Sequence, residues 1–207
     1  MKGAYTILRS SRRRRSISLS IDAQGRLLVR APQRVSLGEI ERVVGEREEW
    51  VRKRIEEMRE ERTRWLPVEE GKTLCLHGQF VPPPALFSIP ELLSYYKRVA
   101  RKELSERLGE LSCVTGLEPT RFRLSSARTR WGSCSSQGSI SLNWRLLLAP
   151  PAVADYVILH ELTHLDYHDH SRRFWNRVKE LCPSFQRHRL WLKNNSRILL
   201  LWREKEP

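Results

Sequence analysis

The sequence has 207 residues, enough for one medium domain or for a main domain with a smaller one, each with its own core. Its 40% hydrophobic and 30% charged residues exclude a disordered or fibrous chain. The 38 Lys and Arg residues against 24 Asp and Glu give a net charge of +14, which favours polyanionic partners such as nucleic acid, nucleotides or an acidic membrane surface.

The first predicted element is a basic β-hairpin. Apolar and polar residues alternate over 17–22, and a turn containing glycine leads to a second apolar run at 27–29. Residues 1–34 hold nine basic residues and one acidic residue. The four arginines at 12–15 either contact phosphates or protect a sheet edge, and we favour contact with nucleic acid.

A long helix is predicted after the hairpin. Ser36 suits the N-cap position, and apolar residues recur at helical spacing up to about Arg64. The proline-rich stretch that follows interrupts regular structure. The sequence therefore predicts a hairpin-and-helix subdomain over 1–68, a Pro-rich linker over 69–90 and a main domain over 91–207.

The main domain is predicted to combine helices and strands in an α+β arrangement. Apolar residues at helical spacing indicate the helices, and short alternating runs indicate the strands. In chain order we expect a helix over about 90–111, strands over 121–125 and 139–143, a helix over about 152–167, and two helices capped by Ser171 and Ser184.

The helix predicted over 152–167 carries the motif His160-Glu161-Leu162-Thr163-His164, which has the form HExxH. Residues four apart lie on the same side of a helix, so both imidazoles can reach one cation while Glu161 projects beside it. A catalytic zinc needs three protein ligands and an open position for water. A third ligand must therefore come from outside this turn of helix.

Two histidines, His168 and His170, are candidates for the third ligand. A helix that continued to His168 would carry that ring along the axis, whereas His170 precedes the predicted cap Ser171, where the chain can turn back. We therefore predict His170 as the third ligand. The interval is that of the metzincin pattern HExxHxxGxxH, but His168 occupies its glycine position and no methionine follows the site, which excludes a metzincin.

Further motifs surround HExxH in a fixed order: Arg130-Trp131-Gly132-Ser133-Cys134, Leu142-Asn143-Trp144-Arg145-Leu146, His160 to Leu165, His170-Ser171 and Phe174-Trp175. With these motifs the sequence resembles the YgjP-like zinc metallopeptidases, relatives of the SprT-like and WLM metalloprotease domains. The resemblance extends to the basic hairpin and covers nearly the whole chain apart from 69–90, where the family has extra strands and this chain has three consecutive prolines. It implies a compact zincin-like fold with zinc on His160, His164 and His170.

Motif and resemblance together predict a zinc-dependent metallopeptidase that acts on peptides or proteins, with Glu161 as the general base. In such chemistry zinc lowers the pKa of a bound water, and a carboxylate takes its proton. Two alternatives stay open: a metal-dependent phosphohydrolase acting on nucleotides, and a nucleic-acid-binding module with a structural metal. Glu161 argues against the last, because a closed structural site has no use for a base.

Residues 121–150 contain five arginines and no acidic residue. Substrate contacts are predicted here for Arg130, Trp131, Asn143 and Arg145. Arginine can grip a carboxylate or phosphate with two hydrogen bonds, and the strand over 139–143 can bind an extended peptide as an edge strand. The alternative, with tryptophans in the core and arginines on a solvated face, stays open.

Two absences in the sequence bear on location. No apolar run approaches the roughly 18 to 20 residues of a membrane-spanning helix, and the first residues lack the apolar core of a signal peptide. The four cysteines form no CxxC pair and are typical of reduced thiols. We therefore expect a cytoplasmic monomer without a membrane partner.

Overall fold

The computed structural model describes residues 5–11, 16–22, 25–83 and 88–202. Spatial proximity divides the chain into two compact units, Met1–Arg64 and Trp65–Pro207, each with an apolar core. The arginines at 12–15 lie outside the described residues, so their contact with nucleic acid stays a prediction.

The first unit contains a three-stranded sheet. Its strands are β1 (Thr6–Ser10), β2 (Ser18–Ile21) and β3 (Leu27–Pro32), in the order β1-β3-β2. Strands β2 and β3 are antiparallel and confirm the predicted hairpin. Strand β1 pairs with β3 in parallel and was not predicted. Apolar residues on one face of β3 form a core with Ile40 and Val51.

Two helices replace the single helix predicted after Ser36. They are α1 (Leu37–Glu46) and α2 (Glu48–Glu69). Ser36 is the N-cap as predicted, and its hydroxyl accepts from the Glu39 amide at 3.2 Å. The backbone leaves the helical region at Arg47, two residues after Gly45, and glycine is a poor helix former.

The second unit contains a hairpin inside the stretch predicted as a linker. Strands β4 (Leu74–Leu76) and β5 (Gln79–Val81) are antiparallel, and His77 and Gly78 take the positive φ angles of a tight hairpin turn. The His77 amide donates to the Leu147 carbonyl at 2.8 Å. Part of the 69–90 stretch is therefore packed rather than irregular, while the predicted division into domains stays a prediction.

A second three-stranded sheet lies near the middle of this unit. Helix α3 (Ile89–Thr115) precedes it and ends at Gly116 in the left-handed conformation. The strands are β6 (Arg121–Ser125), β7 (Gly132–Cys134) and β8 (Ser139–Asn143), in the order β6-β8-β7. Strands β6 and β8 confirm the prediction, but the expected edge position of β8 is wrong because β7 occupies that edge.

Within the described residues three α-helices follow the sheet, α4 (Pro151–Thr163), α5 (Arg172–Leu181) and α6 (Phe185–Asn194), and short 3-10 helices lie at Trp144–Leu148 and Ser196–Leu200. Ser171 and Ser184 are the N-caps of α5 and α6, as predicted. The mixture of helices and strands confirms the α+β class. Within the part of the chain that the structure describes, none of the helices has the length and apolar character needed to cross a bilayer.

Candidate active site

Helix α4 carries the HExxH motif and is anchored in the core. Ile158 and Leu162 are fully buried on either side of His160 and Glu161. The helix ends at Thr163, four residues earlier than predicted, and His164 is its C-cap residue. Because the helix stops here, the chain is free to return towards the motif.

The return is made by a short turn before α5. The amides of Leu165 and Asp166 bond to carbonyls three residues back, and the Asp169 carboxylate accepts from the Ser171 amide at 3.0 Å. This turn places His170 beside α4. His168 also lines the cleft, but its ring nitrogens are not part of the close histidine group.

The imidazoles of His160, His164 and His170 converge. One ring nitrogen from each lies within 4.8 Å of the others, and the Nε2 atoms of His160 and His170 are 3.2 Å apart. The ring of Phe174, on α5, packs against all three imidazoles with centroid distances of 4.5 to 4.9 Å. In the sequence Phe174 was only part of the Phe174-Trp175 motif, and in the structure its ring contacts every member of the histidine group.

The three histidines fit a transition-metal cation. The Nδ1 atom of His164 lies 3.0 Å from the Tyr167 carbonyl and donates to it, which leaves the lone pair on Nε2. Burial lowers the pKa of His160 to about 3, with a further contribution from His164, and burial also lowers the pKa of His164. Both rings are therefore neutral at pH 7, the form that binds metals. Three imidazole nitrogens suit zinc and its neighbours.

A backbone carbonyl, that of Tyr167, orients His164, and no hydrogen bond from His164 to an aspartate is found among the described residues. Asp155 instead forms a bidentate pair with Arg107 of α3, with N–O distances of 2.7 and 2.9 Å. Within the described residues, the buried Nδ1 of His160 has no hydrogen-bond partner. The ring of His160 is held by aromatic packing, including contact with Tyr156 at a centroid distance of 5.9 Å.

Glu161 is buried beside the histidines, with 6% of its surface exposed. Burial raises the pKa of Glu161 to about 8, and the positive charge of Arg130 opposes this rise. The carboxylate lies against strand β7. A Cβ atom added to Gly132 would stand 2.6 Å from Oε1 and 2.8 Å from Cγ of Glu161, so only glycine leaves room for this side chain.

A cleft of about 290 Å³ opens at this group. Glu161 and the histidines form one wall, and β7 with Arg130 forms the other. Of the predicted substrate contacts, Arg130 lines this cleft, and Trp131 lines a smaller cavity next to it.

Asn143 and Arg145 do not line the cleft. Their side chains bond to backbone carbonyls inside the protein and not, as predicted, to a substrate. Asn143 is fully buried, and its Nδ2 donates to the carbonyls of Ala127 and Arg130. Arg145 is 4% exposed, lies over the Trp144 ring at 4.4 Å, and donates through Nη2 to the Leu201 carbonyl at 2.6 Å. Asn143 thus holds the loop that carries Arg130, and Arg145 anchors the C-terminal segment.

The YgjP-like family, described as a metallopeptidase domain, matches residues 15–82 and 88–195. A solved structure, the metallopeptidase zymogen abylysin of Pyrococcus abyssi, is 22% identical to the chain, with a TM-score of 0.37, and the match covers 44% of this chain and 93% of that chain. No curated protein gives a significant match. Since the family match spans most of its length, the chain belongs to the YgjP-like metallopeptidase family.

Proposed function

We propose that the protein is a zinc-dependent peptidase in which His160, His164 and His170 hold the metal and Glu161 is the general base. The observation that carries the proposal is the convergence of three imidazole nitrogens within 4.8 Å, next to a buried glutamate. Family membership supports the reaction class and a peptide or protein as substrate.

Zinc held by three histidines would polarise the scissile carbonyl and lower the pKa of a water molecule. The protein's part is to present the three nitrogens in fixed directions. The Tyr167 carbonyl fixes the tautomer of His164, and Phe174 limits the rotation of all three rings. The exposed side of the cleft leaves room for substrate.

Glu161 moves the proton. Its carboxylate takes a proton from the attacking water and then returns it to the nitrogen of the leaving amine. Burial makes this carboxylate a stronger base than an exposed glutamate, as the direction of its pKa shift indicates. A cation on the histidines would favour the ionised form and keep Glu161 ready to accept the proton.

Strand β7 is suited to hold the substrate backbone. It is an edge strand of its sheet and its residues line the cleft, so an extended peptide can add to it through main-chain hydrogen bonds. The exposed guanidinium of Arg130 stands at the same wall and can bind a peptide carboxylate or carbonyl oxygen. Together these groups place the peptide bond near Glu161.

The proposal is tested with the full chain loaded with one equivalent of zinc and offered denatured protein and fluorogenic peptides. Glu161→Gln should keep its zinc and lose roughly 10²- to 10⁴-fold in kcat, the contribution typical of a general base. Glu118→Gln, at an exposed glutamate between α3 and β6, is the matched control and should keep full activity. Zinc-dependent cleavage that survives Glu161→Gln would contradict the proposal.

The structure gives less support to the phosphohydrolase alternative than the sequence did. It relied on the arginines of 121–145 to hold a nucleotide, and Arg145 is committed to the core. Nucleoside triphosphates in the same assay provide the comparison, and phosphate release that requires Arg130 would favour that alternative. Nucleic-acid contact through the hairpin, a cytoplasmic location and a monomeric state stay predictions.

A further inference from the structure

A second cavity, of about 180 Å³, adjoins the cleft. Gly132, His160 and Glu161 line both spaces, so the two meet at the proposed general base. The remaining walls of the second cavity are apolar or aromatic and consist of Trp131, Tyr156, Val157 and Leu192. We call this space the apolar pocket.

Three of the four apolar and aromatic residues of the apolar pocket lie on firmly packed helices. Tyr156 and Val157 lie on α4 one turn before HExxH, Leu192 lies on α6, and all three are buried. The Tyr156 ring stacks on His188 at 6.2 Å and packs near Phe185 at 6.5 Å. The pocket is therefore already formed before any substrate binds.

The chemistry of the walls selects the kind of group that can enter. Apart from Glu161 at the junction with the cleft, no charged side chain of the described residues lines the apolar pocket. An acidic side chain placed there would lose its hydration and lie close to the carboxylate of Glu161. An aliphatic or aromatic side chain would instead bury its surface favourably.

We infer that the apolar pocket binds a large aliphatic or aromatic side chain of the substrate residue next to the scissile bond. This inference rests on the proposed peptidase function. The cleft and the apolar pocket share Glu161 and His160 as walls. A side chain that fills the pocket therefore belongs to a residue whose peptide group lies at these two residues. The pocket thereby sets which peptide bond is cut.

The test uses the zinc-loaded full chain and a peptide series that differs only in the two residues flanking the cleaved bond: Leu, Phe, Ala or Asp. At one of these positions Leu or Phe should exceed Ala in kcat/KM by about 10-fold or more, since even one methylene in an apolar pocket changes the ratio by roughly 10- to 200-fold. Leu192→Phe should shrink the pocket and shift the preference from Phe towards Ala. Leu190→Phe, on the same helix at a residue 56% exposed, should leave it unchanged.

A binding measurement separates this inference from the proposed function. Calorimetry with zinc-loaded Glu161→Gln protein and the same peptides should rank the binding affinities in the order predicted for kcat/KM, without cleavage of the peptides. Preferential binding of Leu and Phe peptides that wild-type protein never cleaves would support the pocket and contradict the peptidase. Equal cleavage and equal binding of Leu, Ala and Asp peptides at both positions would overturn the pocket and leave the peptidase intact. Both assays give a result even if Leu192→Phe fails to fold.

Discussion

Replacing Gly132 by alanine puts a methyl group where the side chain of Glu161 now lies. The added Cβ would be 2.8 Å from Cγ and 2.9 Å from Cδ of Glu161, whereas ordinary contacts begin at 3.4 Å. The side chain must therefore move by about 0.6 Å or more at Cγ, and more at the carboxylate. Since a misplacement of about 1 Å can cost 10²-fold, we expect Gly132→Ala to lower kcat by about 10- to 100-fold.

The assay is peptide cleavage at matched zinc occupancy. Gly132→Ala should bind zinc like the wild type, because the three atoms nearest to the added methyl group all belong to Glu161 and not to a histidine. Gly109→Ala, in α3 where an added Cβ meets nothing within 4 Å, is the control and should keep full activity. Adding Gly132→Ala to Glu161→Gln should cause little further loss, because both act on one group. Unchanged kcat in folded, zinc-loaded Gly132→Ala protein would refute the reasoning.

Three further predictions concern stability. Trp202→Ala should lower the free energy of unfolding by about 3–5 kcal/mol in urea titrations, because the buried ring packs against Tyr96 and Trp144. A loss under 1 kcal/mol would contradict this packing. Asp155→Ala should cost only about 1 kcal/mol, since its ion pair with Arg107 is partly exposed, and a much larger loss in the same titration would count against that account. With chelator present, Glu161→Gln should raise Tm more at pH 9 than at pH 5. Folding raises the pKa of Glu161 from 4.5 to about 8, so the wild-type protein loses stability as the pH rises through that window, and the variant does not. Equal gains in Tm at both pH values would contradict the burial of Glu161.

The sequence was informative where a local period governs the structure. Helical spacing predicts α3 and α4, and alternation predicts β6 and β8 with their observed bounds. Strands β4, β5 and β7 have three residues each, too few to show a period. Strand β1 pairs in parallel with a strand more than 20 positions away, and such a partner leaves no local signal.

The site also has features that the sequence predicts and features that it does not. The spacing of His160 and His164, and the turn before Ser171 that returns His170, can be predicted from the chain alone. The close approach of Gly132 to Glu161 depends on how a strand packs on a helix, which no local pattern encodes.

The polar residues Asn143 and Arg145 were misassigned because their partners are remote. Arg145 bonds to the carbonyl of Leu201, 56 positions away, and Asn143 bonds to carbonyls of the loop before β7. A polar side chain near a motif looks like a cleft residue until its tertiary partner is known. Buried polar groups of this kind are expected to be hydrogen-bonded inside the protein.

Zinc affinity of histidine variants tests the central claim most directly. Calorimetric titration of the full chain should give one zinc per chain for the wild type and for His168→Ala, whose ring lines the cleft without joining the close group. His170→Ala should weaken zinc binding by about 100-fold or more, since loss of a ligand costs at least as much as loss of a ligand's hydrogen-bond partner. Wild-type affinity in His170→Ala, with zinc lost in His168→Ala, would contradict the account.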